Sequence, residues 1–213
     1  MYFWAMEDTV NYLILALLWI AYFVLHSTLA SVPVKTFFKT KAGRFARFYR
    51  LTYSLVAILS LLPILFYNAL ISQNWLLPTA WKEILTIIGL VLATYGIIII
   101  RMAFRQYSLK IFLGIRQLED QALEEDFSKE GILSVVRHPL YTGTILILAG
   151  FWVYAPTLAN LVTVMMLTVY ILIGIRLEEK KLVAQYGEEY QRYQAKVPML
   201  IPRRGSLKQL RNK

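Results

Sequence analysis

Five long apolar blocks, nearly free of charge, constrain what this chain can fold into more than any other feature. They run from about Thr9 to Ala30, Leu51 to Ile71, Ile84 to Met102, Leu140 to Ala155 and Thr157 to Ile175. None shows the alternation of a half-buried strand or the narrow stripe of a helix packed on a soluble core. Segments of about 20 apolar residues match the hydrocarbon thickness of a bilayer. Within lipid a single segment can satisfy its own backbone only as a helix. The composition agrees: 58% of the 213 residues are hydrophobic and 17% charged. The expected fold is all-α, a polytopic membrane protein with one domain over residues 1–213.

Basic residues fall between the blocks and set the expected topology, because Lys and Arg are biased toward the cytoplasm. Lys35, Lys39, Lys41, Arg44, Arg47 and Arg50 separate the first two blocks. Arg101, Arg105, Lys110, Arg116, Lys129 and Arg137 separate the third from the fourth. Lys82 alone lies between the second and third, and the turn at Pro156 has no basic residue. Five spans with the N-terminus outside and the C-terminus in the cytoplasm satisfy this pattern. The fourth and fifth then form a helical hairpin, followed by a cytoplasmic C-terminal helix. Glu7 and Asp8 precede the first block where a signal peptide would carry basic residues, so that block reads as a retained helix. Pro63 is an expected kink in the second block.

The net charge of +10 does not argue for nucleic acid, since the basic residues are loop residues between apolar blocks. No cysteine is present, which removes disulfides, thiolate metal sites and a cysteine nucleophile. No His/Asp/Glu cluster has metal-ligand spacing, so no metal is expected.

Two places can carry chemistry. In Ser134 to Gly143, S-V-V-R-H-P-L-Y-T-G, Pro139 is suited to the first turn of a helix and His138 before it to an extended backbone. The free N–H groups of that helix start, with Arg137 and His138 beside them, suit an anion; the plainer reading is an arginine snorkelling to headgroups. The second place is Arg176, Glu178 and Glu179 at the end of the fifth block. There Arg176 and Glu179 have the spacing of an intrahelical ion pair and share a face with Val183, Tyr186 and Tyr190. Ionisable residues at membrane depth mark cavities and function. A hairpin returns both places to one level, across a pocket with an apolar floor and a charged mouth. His26, at the end of the first block, and Gln117, in the loop before the acidic run Glu119 to Asp126, are candidate substrate contacts, against the plainer readings of a helix-end histidine and a solvated loop. The basic end from Arg203 to Lys213 reads as attraction to anionic lipid.

The string R-H-P-L-Y-T-G, then E-E-x-x-L, Y-G-E-E-Y-x-x-Y and V-P-x-x-x-P, in order from Arg137 to Pro202, resembles the integral-membrane methyltransferases of the isoprenylcysteine carboxyl methyltransferase and phospholipid methyltransferase superfamily. Phe112 to Gln117, Tyr170 to Arg176 and Val197 to Arg203 are most similar to the bacterial methanethiol S-methyltransferases. His26 and Ser27 are similar to an early pair in NnrU-type membrane proteins. The resemblance implies S-adenosylmethionine as cofactor, with S-adenosylhomocysteine as product, bound within about residues 112–203. It implies cofactor contacts at Arg137, His138, Pro139, Tyr141, Gly143, Glu178, Glu179 and Tyr186, and places Arg176 and Glu179 near the transferred methyl group. The expected protein is a transferase of the bacterial inner membrane whose site faces the cytoplasm and whose acceptor is a small or lipophilic thiol. Methylation of an isoprenylcysteine carboxylate or a phospholipid amine is the enzymatic alternative, and a non-catalytic membrane accessory is the alternative of another class. The expected partners are the lipid bilayer and the acceptor, with no nucleic acid.

Overall fold

The computed structural model describes residues 2–43, 48–71, 74–105 and 129–203, with side chains described from residue 8 onward. Among them the chain forms seven α-helices: α1 (Tyr2–Ala30), α2 (Val32–Lys41), α3 (Tyr49–Leu70), α4 (Lys82–Ala103), α5 (Pro139–Tyr154), α6 (Leu158–Tyr186) and α7 (Glu188–Lys196). Four segments are long and apolar enough to cross a membrane: Asp8–Ala30, Tyr49–Leu70, Thr79–Ala103 and Leu158–Tyr186. The expected fourth span is the shorter apolar helix α5, with 16 residues. At 1.5 Å per residue it reaches about 24 Å, against a hydrocarbon core of about 30 Å. Among the described residues, four helices therefore have membrane-spanning length, with α5 as one shorter apolar helix.

Large apolar side chains stay exposed along these helices, including Leu17 (64%) on α1, Phe66 (66%) on α3 and Ile87 (62%) on α4. Apolar faces of this extent are stable in lipid and not in water. Two helices go beyond the apolar blocks. The fifth block ends near Ile175, but α6 continues through Arg176, Glu178 and Glu179 to Tyr186. The ten-residue α2 follows α1 after a break at Ser31, whose backbone is extended, and carries Pro33 in its first turn, where proline is tolerated. Pro63 lies inside α3, which continues past it.

The chain divides into two compact units. The first comprises Met1–Leu76, Ser108–Glu124 and Thr157–Met166, the second Leu77–Tyr107, Glu125–Pro156 and Leu167–Lys213. In the first unit a buried polar chain ties α1, α3 and the start of α6. Trp19 Nε1 donates to Thr163 Oγ1 (3.0 Å), Thr163 Oγ1 donates to Asn68 Oδ1 (2.9 Å), and Asn68 Nδ2 donates to Asn160 Oδ1 (2.9 Å). Thr157 caps α6 by accepting the Asn160 N–H at 3.2 Å. Polar side chains without water as an alternative partner hold helices together in this way.

In the second unit α4 and α5 run antiparallel and meet at two glycine pairs. A Cβ on Gly96 would lie 2.6 Å from the Gly143 carbonyl oxygen, and one on Gly150 would lie 2.6 Å from that of Gly89. Both helices carry their glycines seven residues apart, so the two notches fall on one face of each. The expectation for Gly143 is close approach of a cofactor; the approach found here is to the backbone of α4.

Replacing Gly96 by Ala forces these backbones apart and should cost about 1–3 kcal/mol, the usual range for overpacking. A methyl group on Gly174 would meet nothing within 4 Å, so Gly174→Ala is the control. Thermal unfolding in detergent is expected to show a lower midpoint for Gly96→Ala and an unchanged or higher one for Gly174→Ala.

Candidate functional site

Glu179 is the centre of the candidate site in the second unit. Its Oε1 accepts Arg137 Nε at 2.7 Å and His138 Nε2 at 3.0 Å, and its Oε2 accepts Gln194 Nε2 at 3.0 Å. These donors come from the start of α5 and from α7, while the carboxylate comes from α6. With a carboxylate as acceptor, Nε2 of His138 carries the ring proton. The side chains of Arg137 and Glu179 are 10% and 15% exposed and that of His138 is 5% exposed, so the cluster is largely withdrawn from solvent. The expected meeting of the two hairpin ends is thus present as direct hydrogen bonds.

Arg137 also holds the chain that leaves α7. Its Nη1 donates to the Gln194 carbonyl at 3.0 Å and to the Val197 carbonyl. The Arg137 N–H donates to Pro198 O (2.9 Å), the His138 N–H to Met199 O (3.1 Å) and Thr142 Oγ1 to Leu200 O (2.9 Å). Residues 197–202 form a strap across the start of α5. Two of the upstream N–H groups that a bare helix start would leave open are therefore bonded to the strap.

Local sequence explains this geometry. Pro139 is fully buried in the first turn of α5, and His138 at the cap has φ −124° and ψ 65°, away from the α region as expected before proline. Gly187, with φ 54° and ψ −131°, ends α6 and turns the chain into α7 through a conformation other residues avoid. The first turn of α7 carries Glu188 and Glu189 and its last turn Lys196, each favourable to the helix dipole. Its inner face buries Tyr190 and Tyr193, and the Tyr193 hydroxyl donates to Leu133 O at 2.6 Å. Burial, with the nearby Glu179 charge, pushes the Tyr190 phenol above its ordinary range, so it remains a neutral donor at neutral pH.

Beside the strap lies a pocket of about 450 Å³ with an entirely apolar lining. Ile99 and Met102 of α4, Val135 and Val136 before α5, Ile145 and Leu146 of α5, and Leu200 of the strap form its walls. Val136 is adjacent in the chain to Arg137, so the apolar walls and the ionic cluster are built by the same turn. The volume is within the range of about 300–1,000 Å³ typical of small-molecule sites.

The expected site residues separate into groups. Arg137, His138 and Glu179 are joined, with Pro139 behind them and the Tyr141 ring 5.8 Å from the His138 ring. Arg176 does not pair with Glu179: it is exposed and makes no ion pair among the described residues, because the carboxylate three residues on is turned to Arg137. Glu178 is exposed as well. Tyr186 is half-buried and accepts a hydrogen bond from Gln185 Nε2 at 3.2 Å. Tyr190 does not continue the Glu179 face of α6, since the helix ends before it. His26 belongs to the first unit and bonds through Nε2 to the Tyr53 hydroxyl at 2.8 Å. Gln117, the rest of Phe112 to Gln117 and the acidic run lie outside the described residues. Gln194, the Val197 to Leu200 carbonyls and Tyr193 join the site without being among the sequence candidates; the carbonyls carry no side-chain signature, but the Y-x-x-Y spacing marks a buried helical face.

The family described as protein of unknown function, DUF1295, matches residues 33–197, which includes this cluster and α3 to α7. The chain belongs to the DUF1295 family. This DUF1295 chain is also similar to methanethiol S-methyltransferase 1 of Bradyrhizobium diazoefficiens, with 32% identity over 215 residues, covering 94% of the chain and 70% of the relative. A methanethiol S-methyltransferase of a Pseudomonas species (strain GM41(2012)) is 34% identical over 170 residues, covering 75% of the chain and 62% of the relative. One of Crocosphaera subtropica is 43% identical over 95 residues, covering 42% and 36%. The chain thus spans between 36% and 70% of the length of these relatives. No solved structure matches it.

Glu179→Gln removes the negative charge on which three donors converge, at a cost of about 1.5–3 kcal/mol for a charge-assisted hydrogen bond. The expected result is a folded protein whose strap is cleaved faster in limited proteolysis, with cuts mapping near residues 197–203 by mass spectrometry.

Proposed function

We propose that this chain is a membrane-embedded methyltransferase that transfers a methyl group from S-adenosylmethionine to a small thiol of the methanethiol type. The observation that carries the reading is its relationship to methanethiol S-methyltransferase 1 across 94% of its length. Because the DUF1295 match runs across both compact units, residues 1–213 are taken as one methyltransferase domain. With α5 as the fifth, short span, the loop charges favour an outside N-terminus and a cytoplasmic site in a bacterial inner membrane.

The residues present fit the cofactor. Its flat base suits the apolar walls at Val135, Val136 and Leu200, and His138 and Tyr141, which neighbour these walls in the chain, are assigned to its charged end. When bound it supplies a sulfonium methyl group, already activated for transfer. The chain's part is then to align the acceptor sulfur with that methyl carbon, keep water away and favour the thiolate. The acceptor would enter as the thiolate, its proton given to water at the membrane surface, and S-adenosylhomocysteine would be the second product. Arg176, whose charge no described acid engages, would favour the thiolate where the acceptor enters, since a nearby cation lowers a thiol pKa. Glu179, with three donors on its carboxylate, acts as a positioning residue: it sets His138 and the strap. Pro139 and Gly143 fix the helix start, while Glu178 and Tyr186 are assigned to the rim.

Purified protein should bind S-adenosylhomocysteine in calorimetry and, with S-adenosylmethionine and methanethiol, release dimethyl sulfide detectable by gas chromatography. His138→Ala should lower turnover by at least about tenfold, equivalent to about 1.4 kcal/mol, in protein that is still folded at the assay temperature, with a lower unfolding midpoint because Glu179 loses a buried donor. Binding of S-adenosylhomocysteine without methylation of methanethiol, against product from a prenylcysteine or phosphatidylethanolamine, would move the acceptor to another class. No binding at all would overturn the enzyme reading.

A further inference from the structure

The helix α2 and the basic residues around it are not used by the methyltransferase reading, and their chemistry is unusually one-sided. From Thr9 to Lys82 the chain contains no Asp or Glu, yet Lys35, Lys39, Lys41, Arg44, Arg47 and Arg50 fall within one short segment. The helix, V-P-V-K-T-F-F-K-T-K, buries none of its residues. Phe37 is 58% exposed and Val32 64% exposed, while the Phe38 ring packs on Tyr49 at 4.8 Å. At helical spacing Val34, Phe37 and Phe38 share one face and Lys35, Thr36, Lys39 and Thr40 the other. Lys41, on the apolar side at the end of the helix, has a stem long enough to reach out from it. The same short helix sits between α1 and α3, both of membrane-spanning length, so it lies where the chain turns at one face of the bilayer.

A solvated helix has no use for an exposed phenylalanine, and a helix docked on its own protein would bury one. An amphipathic helix with aromatics on one face and lysines on the other lies in the plane of the membrane interface. We infer that α2 is an in-plane anchor that binds anionic phospholipid, with Phe37 at the headgroup–acyl boundary and Lys35 and Lys39 against lipid phosphates. The absence of acidic residues over the whole Thr9 to Lys82 stretch favours an anionic leaflet over a neutral one, since each basic residue near such a surface adds attraction. An acidic protein partner would fit the lysines but leaves Phe37 without an apolar environment.

The chain has no cysteine, so single-cysteine variants report one position each. Phe37→Cys and Lys39→Cys, spin-labelled in nanodiscs of phosphatidylcholine with phosphatidylglycerol, should differ. The label at 37 is expected to be more accessible to oxygen than to a water-soluble nickel chelate, and the label at 39 the reverse. Native mass spectrometry should show phosphatidylglycerol retained over phosphatidylcholine, and Lys35→Gln and Lys39→Gln should reduce that preference by roughly fivefold each. These residues are exposed, so the variants should keep the wild-type unfolding midpoint. A water-accessible label at 37 would overturn the proposal, as would equal retention of the two lipids. A preference for phosphatidylglycerol unaffected by either lysine substitution would likewise overturn it.

Discussion

One carboxylate, Glu179, organises the second unit. Carried on a helix that is apolar for most of its length, it sits where solvation is poor, and three donors from two other segments compensate for that. The arrangement is asymmetric in its energetics. Burying the pair adds little net stability over an apolar substitute, but removing one partner strands the others. Arg137 then extends the cluster by holding two carbonyls of the chain leaving α7. The start of α5, the end of α6, α7 and the strap therefore share one set of hydrogen bonds, and the apolar pocket beside them has its walls from the same elements.

A consequence is that the residues most recognisable in the sequence act first on one another. Arg137, His138 and Glu179 look like ligand contacts when read as a string, because charged and titratable side chains at a membrane threshold are costly without a purpose. The structure gives each of the three a partner within the protein. The pocket beside them is walled by Val135, Val136, Ile145, Leu146 and Leu200, apolar residues that are less conspicuous in the sequence.

Long helices were legible because each apolar block is its own evidence: α3 and α4 begin and end within a few residues of the runs from Leu51 and Ile84, and α1 ends with its run at Ala30 but begins earlier, at Tyr2. The passage of α6 beyond Ile175 was legible in the helical spacing of Arg176, Glu179, Val183 and Tyr186, where hydropathy registers only a change of solvent; its end at Tyr186, before Tyr190, was not. Helix α2 was hidden, its lysines cancelling its phenylalanines. The joining of the two motifs across the hairpin followed from topology alone. The partner of Glu179 did not, because the choice between Arg176, three residues away, and Arg137, 42 residues away, depends on which way one side chain turns. Strap contacts through carbonyl oxygens have no signature in residue types.

The paired glycines of α4 and α5 work as a vernier for the site. With notches seven residues apart on both helices, only one alignment engages both; sliding by one repeat, about 10 Å at 1.5 Å per residue, leaves a single notch matched, and any smaller slip sets a side chain against backbone. The depth at which Pro139 begins its helix is thus read off a ruler on α4. A lipid bilayer that thickens or thins would tilt this pair as one body and leave the height of the ionic cluster on α4 unchanged.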